Sequence, residues 1–304
     1  MTAVTDTKPR GRPAAAAPVP RRPARRSSRL VSLASRGAVQ VALAVVALMW
    51  LVPTIGLAIS SLRTGEANSQ SGWWTALLKP AQLTFSNYQA LLANPTITNS
   101  FLNTVLIALP TTILVVVIAA LAGYAFATID FKGRDPLFLV VVGLLVVPLQ
   151  IALIPVAKLF GELHLFGKIP GVVLFHVAFG LPFAIFLLRN FFAGIPKELI
   201  EAARLDGAGE ARIFSTVVLP LGTPAIASLG IFQFLWVWND LLVALVFAGQ
   251  AKPLTVAIQE QTRQFGSNID VIAPGAFLSM IVPLIVFFAF QRYFVQGLLA
   301  GSTK

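Results

Sequence analysis

Long uncharged apolar runs alternate with short polar segments through most of this chain. They are Ala38–Ile59, Phe101–Thr128, Pro136–Ala157, Ile169–Leu188, a run beginning near Val217, and Val271–Gln291. About 20 helical residues cross the hydrocarbon of a bilayer, and there the backbone must satisfy its own hydrogen bonds. Each run therefore predicts a transmembrane helix. A membrane β-barrel would instead show alternating segments of about 10 residues, and these runs are continuous. The expected fold class is all-α: a polytopic membrane protein with six transmembrane helices.

Two places break the pattern. The fifth run, Val217–Ala251, has 35 residues, about 52 Å if wholly helical at about 1.5 Å per residue. That exceeds a hydrocarbon core of about 30 Å, so it must bend, break or project. Pro220 and Pro224 near its start and Trp238-Asn239-Asp240 in its later part mark the expected irregularities. The second place is residues 198–220, ELIEAARLDGAGEARIFSTVVLP, a charged and glycine-broken segment between two apolar runs. Pro196 suits a first helical turn, Glu198 and Glu201 lie near that positively polarised end, and Gly207 suits the position after the last turn. A short helix, a glycine turn at Gly207 and Gly209, and a second helix kinked at Pro220 follow. Leu199, Ala202 and Ala203 share one small apolar face, and Lys197–Glu201 and Glu201–Arg204 can pair beside it. Lying on lipid headgroups would need a larger apolar face; small side chains suit close approach to a protein cleft.

Composition agrees with the pattern: 57% of the 304 residues are hydrophobic and 12% charged, against about 25% charged in soluble domains. The net charge of +11 does not indicate a nucleic-acid partner. Residues 1–36 hold nine Lys and Arg against Asp6 and carry +8 of it, in a Pro-, Ala- and Arg-rich tail without apolar periodicity. Disorder is expected there, either solvated or against anionic lipid, and residues 37–304 form the six-helix transmembrane domain. With no cysteine, disulfides and thiolate chemistry are absent. No metal-ligand spacing and no nucleophile–base pair marks an enzyme. The nearest approach to a phosphate-binding P-loop, GELHLFGK at 161–168, has its glycines one residue too far apart and Ile169 where Ser or Thr belongs. No ATP or other cofactor is expected on this chain.

Lys and Arg collect on the cytoplasmic side of membrane proteins. With both termini inside, the inner segments hold 17 of them and the outer segments six: Arg63, Lys79, Lys158, Lys168, Lys252 and Arg263. That places the 189–216 loop in the cytoplasm and residues 60–100 outside, where Trp73 and Trp74 suit the water–lipid boundary. His176 in the fourth span reads as a packed residue.

Glu201-Ala202-Ala203, three residues, Gly207, nine residues, Val217, one residue, then Leu219-Pro220 resembles the EAA motif of ABC importer permeases, with Val217 where isoleucine is usual. LTFSNY (83–88), FLNT (101–104), GYAFA (123–127), FKGR (131–134), LPF (181–183), WND (238–240) and the closing QRYFVQGLLAGSTK resemble the maltose-type carbohydrate-uptake branch over roughly residues 38–304. The resemblance implies a type I ABC importer permease fold in a prokaryotic plasma membrane. Its implied partners are a second, larger permease subunit, a cytoplasmic ABC ATPase dimer that holds ATP and Mg²⁺, and an extracytoplasmic solute-binding protein. It further implies that Glu201, Ala202, Ala203, Arg204, Asp206 and Gly207 dock into the ATPase, and that Leu219 and Pro220 join this loop rigidly to the fifth span. The cargo it favours is a di- or oligosaccharide such as an α-glucoside; the alternative within the importer reading is an ABC permease for a different solute, such as peptides or phosphate.

Asp240 is the acid within a long apolar run, and intramembrane charges face protein or water-filled cavities. With Asn239 it either lines the translocation path or braces the fold; Gln150 and Gln233 are further lining candidates. The competing class is an ion-coupled secondary transporter or channel acting alone. Such proteins often carry inverted repeats, of which the chain shows no convincing example, and a lone carrier has no reason to keep the 196–220 loop.

Overall fold

The computed structural model describes residues 26–263 and 269–302, and the chain divides into two units at Pro53. Within the first unit the described backbone is helix only: α1 (Arg26–Ser61) begins there and ends in the second. Residues 1–25 of the basic tail lie outside the described residues. Arg26–Arg36, read from the sequence as tail, belong to the helix; no proline intervenes between Pro23 and Pro53 to stop it.

The second unit carries α2 (Gly65–Gln70), α3 (Thr75–Leu78), α4 (Ser86–Ala93), α5 (Pro95–Thr128), α6 (Arg134–Leu144), α7 (Leu149–Glu162), α8 (Ile169–Phe192), α9 (Lys197–Leu205), α10 (Glu210–Ile213), α11 (Leu219–Trp238), α12 (Leu242–Phe247), α13 (Leu254–Arg263) and α14 (Ile269–Ser302). Among the described residues the β structure is a single antiparallel bridge, Arg63 with Leu83. Helices α5, α8 and α11 form the centre, where Val115, Ala119, Ala184, Leu188, Val218 and Leu229 are buried together. Small residues set the spacing, as is usual where membrane helices meet. A Cβ at Gly123 of α5 would stand 3.0 Å from the backbone nitrogen of Arg189 and 3.1 Å from the Leu188 Cβ of α8.

Among the described residues five helices are long and apolar enough to cross a membrane, in α1, α5, α8, α10–α11 and α14, and a sixth crossing requires α6 and α7 together. The third run is thus not one continuous helix. It bends by 100° over Leu145–Pro148. Pro148 is extended, with ψ at 128°; its ring disfavours helical geometry at Val147, and it caps the start of α7. The fifth run breaks as well, at Asn239–Leu241, so that α12 is a separate short helix.

The segment between α1 and α5 is organised by Arg63, which is fully buried. Its Nε donates to Gln82 Oε1, Nη1 to Asn68 Oδ1 and the Ser71 carbonyl, and Nη2 to the Ala67 carbonyl, Ser71 Oγ and Thr75 Oγ1. The carbonyls come from the C-terminal end of α2, where a cation is favoured. Asn87 Nδ2 donates to the carbonyls of Ser61 and Arg63, fixing α4 to the same centre. Of the two adjacent tryptophans, Trp73 lies over Gly56 of α1 while Trp74 is exposed.

Candidate functional site

Local sequence explains the shape of the charged segment. Pro196 precedes α9, and the helix ends with Asp206 as its cap. Gly207 follows at φ +79°, the left-handed region. Its N–H donates to the Arg204 carbonyl and that of Ala208 to the Ala203 carbonyl, both at 3.0 Å. This pair of bonds is a Schellman ending, which satisfies the last carbonyls and turns the chain back. Gly209 then caps α10 from an ordinary extended conformation, φ −72°.

The face α9 presents differs from the one expected. Ile200 is buried and Ala203 half-buried, both packed on the core formed by α5, α8 and α11. Leu199, Glu201, Ala202, Leu205, Asp206 and Gly207 are exposed. Ile200 and Ala203 sit three apart on one helical face, so Ala203 turns inward and leaves Ala202 with Leu205 outward. Leu205 is the most exposed large apolar side chain of the segment, at 89%; it stands outside the apolar face that the sequence predicts. Nor do Lys197 and Glu201 pair: among the described residues the ion pair of this segment joins Arg204 Nε to Glu210 Oε1 at 3.0 Å. The hydrogen bond to Glu210 pushes the Arg204 guanidinium above its ordinary value.

Beyond α10 the chain runs through one π-helical stretch, Phe214–Val218, before α11. Proline lacks the N–H for an α-helical bond and its ring crowds the carbonyl four residues back. The wider turn ahead of Pro220 relieves that clash, with the Leu219 N–H bonding the Phe214 carbonyl. The sequence suggests a kink at Pro220; the irregularity lies before it. Leu219 and Pro220 are exposed at the start of α11, separated by this turn from the other coupling candidates.

The path candidates do not form one cluster with each other. Gln150 is exposed at the start of α7. Gln233 is buried in α11 against α8, where a Cβ on Gly180 would stand 2.9 Å from its Nε2. Asn239 is exposed and donates to the Leu235 carbonyl at 2.8 Å, closing α11. Asp240 accepts from the Val243 N–H at 3.2 Å and the Ala244 N–H at 2.9 Å, opening α12. Its side chain is 12% exposed, and His176 Nε2 of α8 stands 3.4 Å from Oδ2 without hydrogen-bond geometry. Trp238 is buried and donates Nε1–H to the Ser279 carbonyl of α14. The WND tripeptide thus makes the break in the fifth run. The cavity lined by Thr104, His176 and Asp240 holds about 10 Å³, room for a water at most. Asp240→Ala removes two helix-capping bonds and is expected to cost about 1–2 kcal/mol; thermal unfolding in detergent would read it, with Asp240→Asn losing less.

A sequence family described as the binding-protein-dependent transport system inner membrane component matches residues 22–299. The osmoprotective compounds uptake permease protein of Synechocystis is 47% identical over 272 residues, 88% of this chain and 91% of its own. The alpha-glucoside transport system permease protein of Rhizobium meliloti is 46% identical over 254 residues, 81% and 67% of the two chains. In fold, the chain is similar to one in the crystal structure of a bacterial ABC transporter that imports the acidic polysaccharide alginate. The TM-score is 0.71 at 23% identity, with 88% of this chain and 98% of the other covered.

Proposed function

The chain belongs to the family of binding-protein-dependent transport system inner membrane components, and on that premise we propose that it is a permease subunit of an ATP-driven sugar importer. It is a transport component rather than an enzyme: ATP and Mg²⁺ belong to a separate ATPase dimer, and solute arrives on an extracytoplasmic binding protein. Both termini and the α9–α10 segment face the cytoplasm, in keeping with the distribution of Lys and Arg. A second, larger permease subunit completes the translocation path. Among the described residues, Thr104, His176 and Asp240 enclose only a water-sized space, in keeping with a solute-sized passage between subunits. Asn239, exposed at the break in the fifth run, is the candidate to face it. The names of the relatives favour an α-glucoside or a related di- or oligosaccharide as cargo.

One observation carries the coupling role: α9 stands out from the body with its outer face free. Ile200 and Ala203 root the helix in the core while Glu201, Ala202 and Leu205 project. Glu201 supplies a charged contact, Ala202 close approach, and Leu205 an apolar anchor of the kind that dominates binding when buried centrally. Gly207 and the cap at Asp206 hold the turn. Each ATPase closure moves α9, and the spans rock between inward- and outward-facing states.

Leu205→Asp tests this directly. Leu205 touches little of its own chain, so the variant is expected to insert and unfold at the wild-type temperature. Co-purification of the ATPase should fall at least tenfold, with Glu201→Lys giving a smaller loss. An undiminished yield of ATPase on Leu205→Asp would refute the docking surface.

A further inference from the structure

The coupling segment is bound into the end of α5 by a ring of polar contacts. The Tyr124 hydroxyl donates to Glu210 Oε2 at 2.5 Å, and Arg204 Nε donates to Glu210 Oε1 at 3.0 Å. Arg204 Nη2 returns to the Thr128 carbonyl at 3.2 Å. Tyr124 and Thr128 are one turn apart at the C-terminal end of α5, so Glu210 is held at both oxygens and Arg204 at two nitrogens. The ring joins α9, α10 and α5 without using the connection to α11.

The two routes out of the segment are physically unlike. Towards α11 the chain passes through the π turn at 214–218, a rare conformation that often marks functional positions. Towards α5 the route is a carboxylate bonded to a phenol that is itself buried, with its ring 5.3 Å from that of Phe214. Hydrogen bonds to ionised groups are roughly twice as strong as neutral ones. The Arg204–Glu210 pair is half-exposed at both side chains, and a pair of that kind contributes little by itself. Fixed position comes from the buried phenol sharing the same carboxylate.

We infer that Glu210 is a positioning residue that makes α5 move with α9, so that displacement of the coupling helix enters the transmembrane core through α5. This rests on the coupling role proposed above. Tyr124 holds Glu210 from the membrane side and Arg204 holds it from the knuckle; the Thr128 carbonyl closes the ring at the negative end of the α5 dipole, where a guanidinium is favoured.

The absence of cysteine makes the test direct. Spin labels at Glu198→Cys on α9 and Leu121→Cys on α5, both exposed positions, report the distance between the two helices in the assembled transporter. With the ring intact, trapping with ADP and vanadate should leave that distance unchanged, because α9 and α5 travel together. With Glu210→Gln added, trapping should shift it; Tyr124→Phe should shift it less. If Glu210 only stapled the fold, Glu210→Gln would lower the unfolding temperature yet keep the distance constant on trapping, and the inference would be overturned. A wild-type complex that retains no ATPase at all would defeat the coupling role itself, and this inference with it.

Discussion

Gly207→Val abolishes ATPase-driven uptake while the protein still inserts and folds; that is the expected result. Gly207 is at φ +79° with open space around it, so a side chain there meets no neighbour. The cost is entirely conformational: about 1–2 kcal/mol for an ordinary residue in the left-handed region, and more for a β-branched one. Spread over the whole molecule that is modest. Concentrated on a nine-residue helix, which is marginal without tertiary support, it undoes the ending that aims Leu205 and Asp206. Gly209 supplies the internal control. A Cβ placed there would also meet nothing within 4 Å, but its φ of −72° is open to any residue. Gly209→Ala is therefore expected to retain most uptake. Uptake by membrane vesicles, together with the ATPase recovered on the purified permease, would read both variants; equal losses from the two would sink the conformational account.

The largest structural effect is expected at Arg63. Arg63→Ala leaves carbonyls and side-chain oxygens from Ala67, Ser71, Asn68, Thr75 and Gln82 around an empty charge site. Hydrogen bonds to charged groups contribute about 1.5–3 kcal/mol each, and leaving buried acceptors unmet costs about 1–3 kcal/mol. Water entering the vacated space recovers part of this, so a net loss of about 3–5 kcal/mol is expected, within the range of the most damaging single substitutions. Arg63→Lys keeps the charge but not the fork that serves acceptors on several sides, and should fall between. Limited proteolysis within residues 60–88, with the spans themselves still protected, would detect the opening. Resistance equal to wild type would show that the arginine does not organise this segment.

What can be read in advance follows the range of the interactions. The α9 turn is legible in the sequence because proline, glycine and the helix between them act on near neighbours. The inward turn of Ala203 is not, because it depends on Ile200 finding the core of α5, α8 and α11. Arg204 is a near neighbour of Glu210 in sequence, but the buried partner that fixes the carboxylate, Tyr124, is 86 residues away, although Tyr124 lies within GYAFA, one of the pieces that carry the family resemblance. FLNT has a similar explanation in the fold: Asn103 Nδ2 donates to the Lys252 carbonyl and Thr104 Oγ1 accepts the Leu254 N–H. Polarity alone predicts the break at Trp238-Asn239-Asp240, while the capping that makes it is visible only in the folded chain. Arg63 resembles an ordinary loop charge, because nothing beside it announces burial.

The elbow in the third run has a consequence for how this chain can live in a bilayer. Across the 100° bend between Leu144 and Leu149, the Val142, Gly143 and Leu144 carbonyls accept turn bonds from Leu145, Val146 and Val147. The Leu149 and Gln150 amides that open the next rod find no backbone acceptor among the described residues. Gly143–Pro148 are exposed, and acyl chains offer such groups nothing to bond; irregular backbone survives at that depth only against protein or water. A lone copy surrounded by lipid would carry an unsolvated seam along one flank. The corner therefore calls for protein or water, not acyl chains, along that flank.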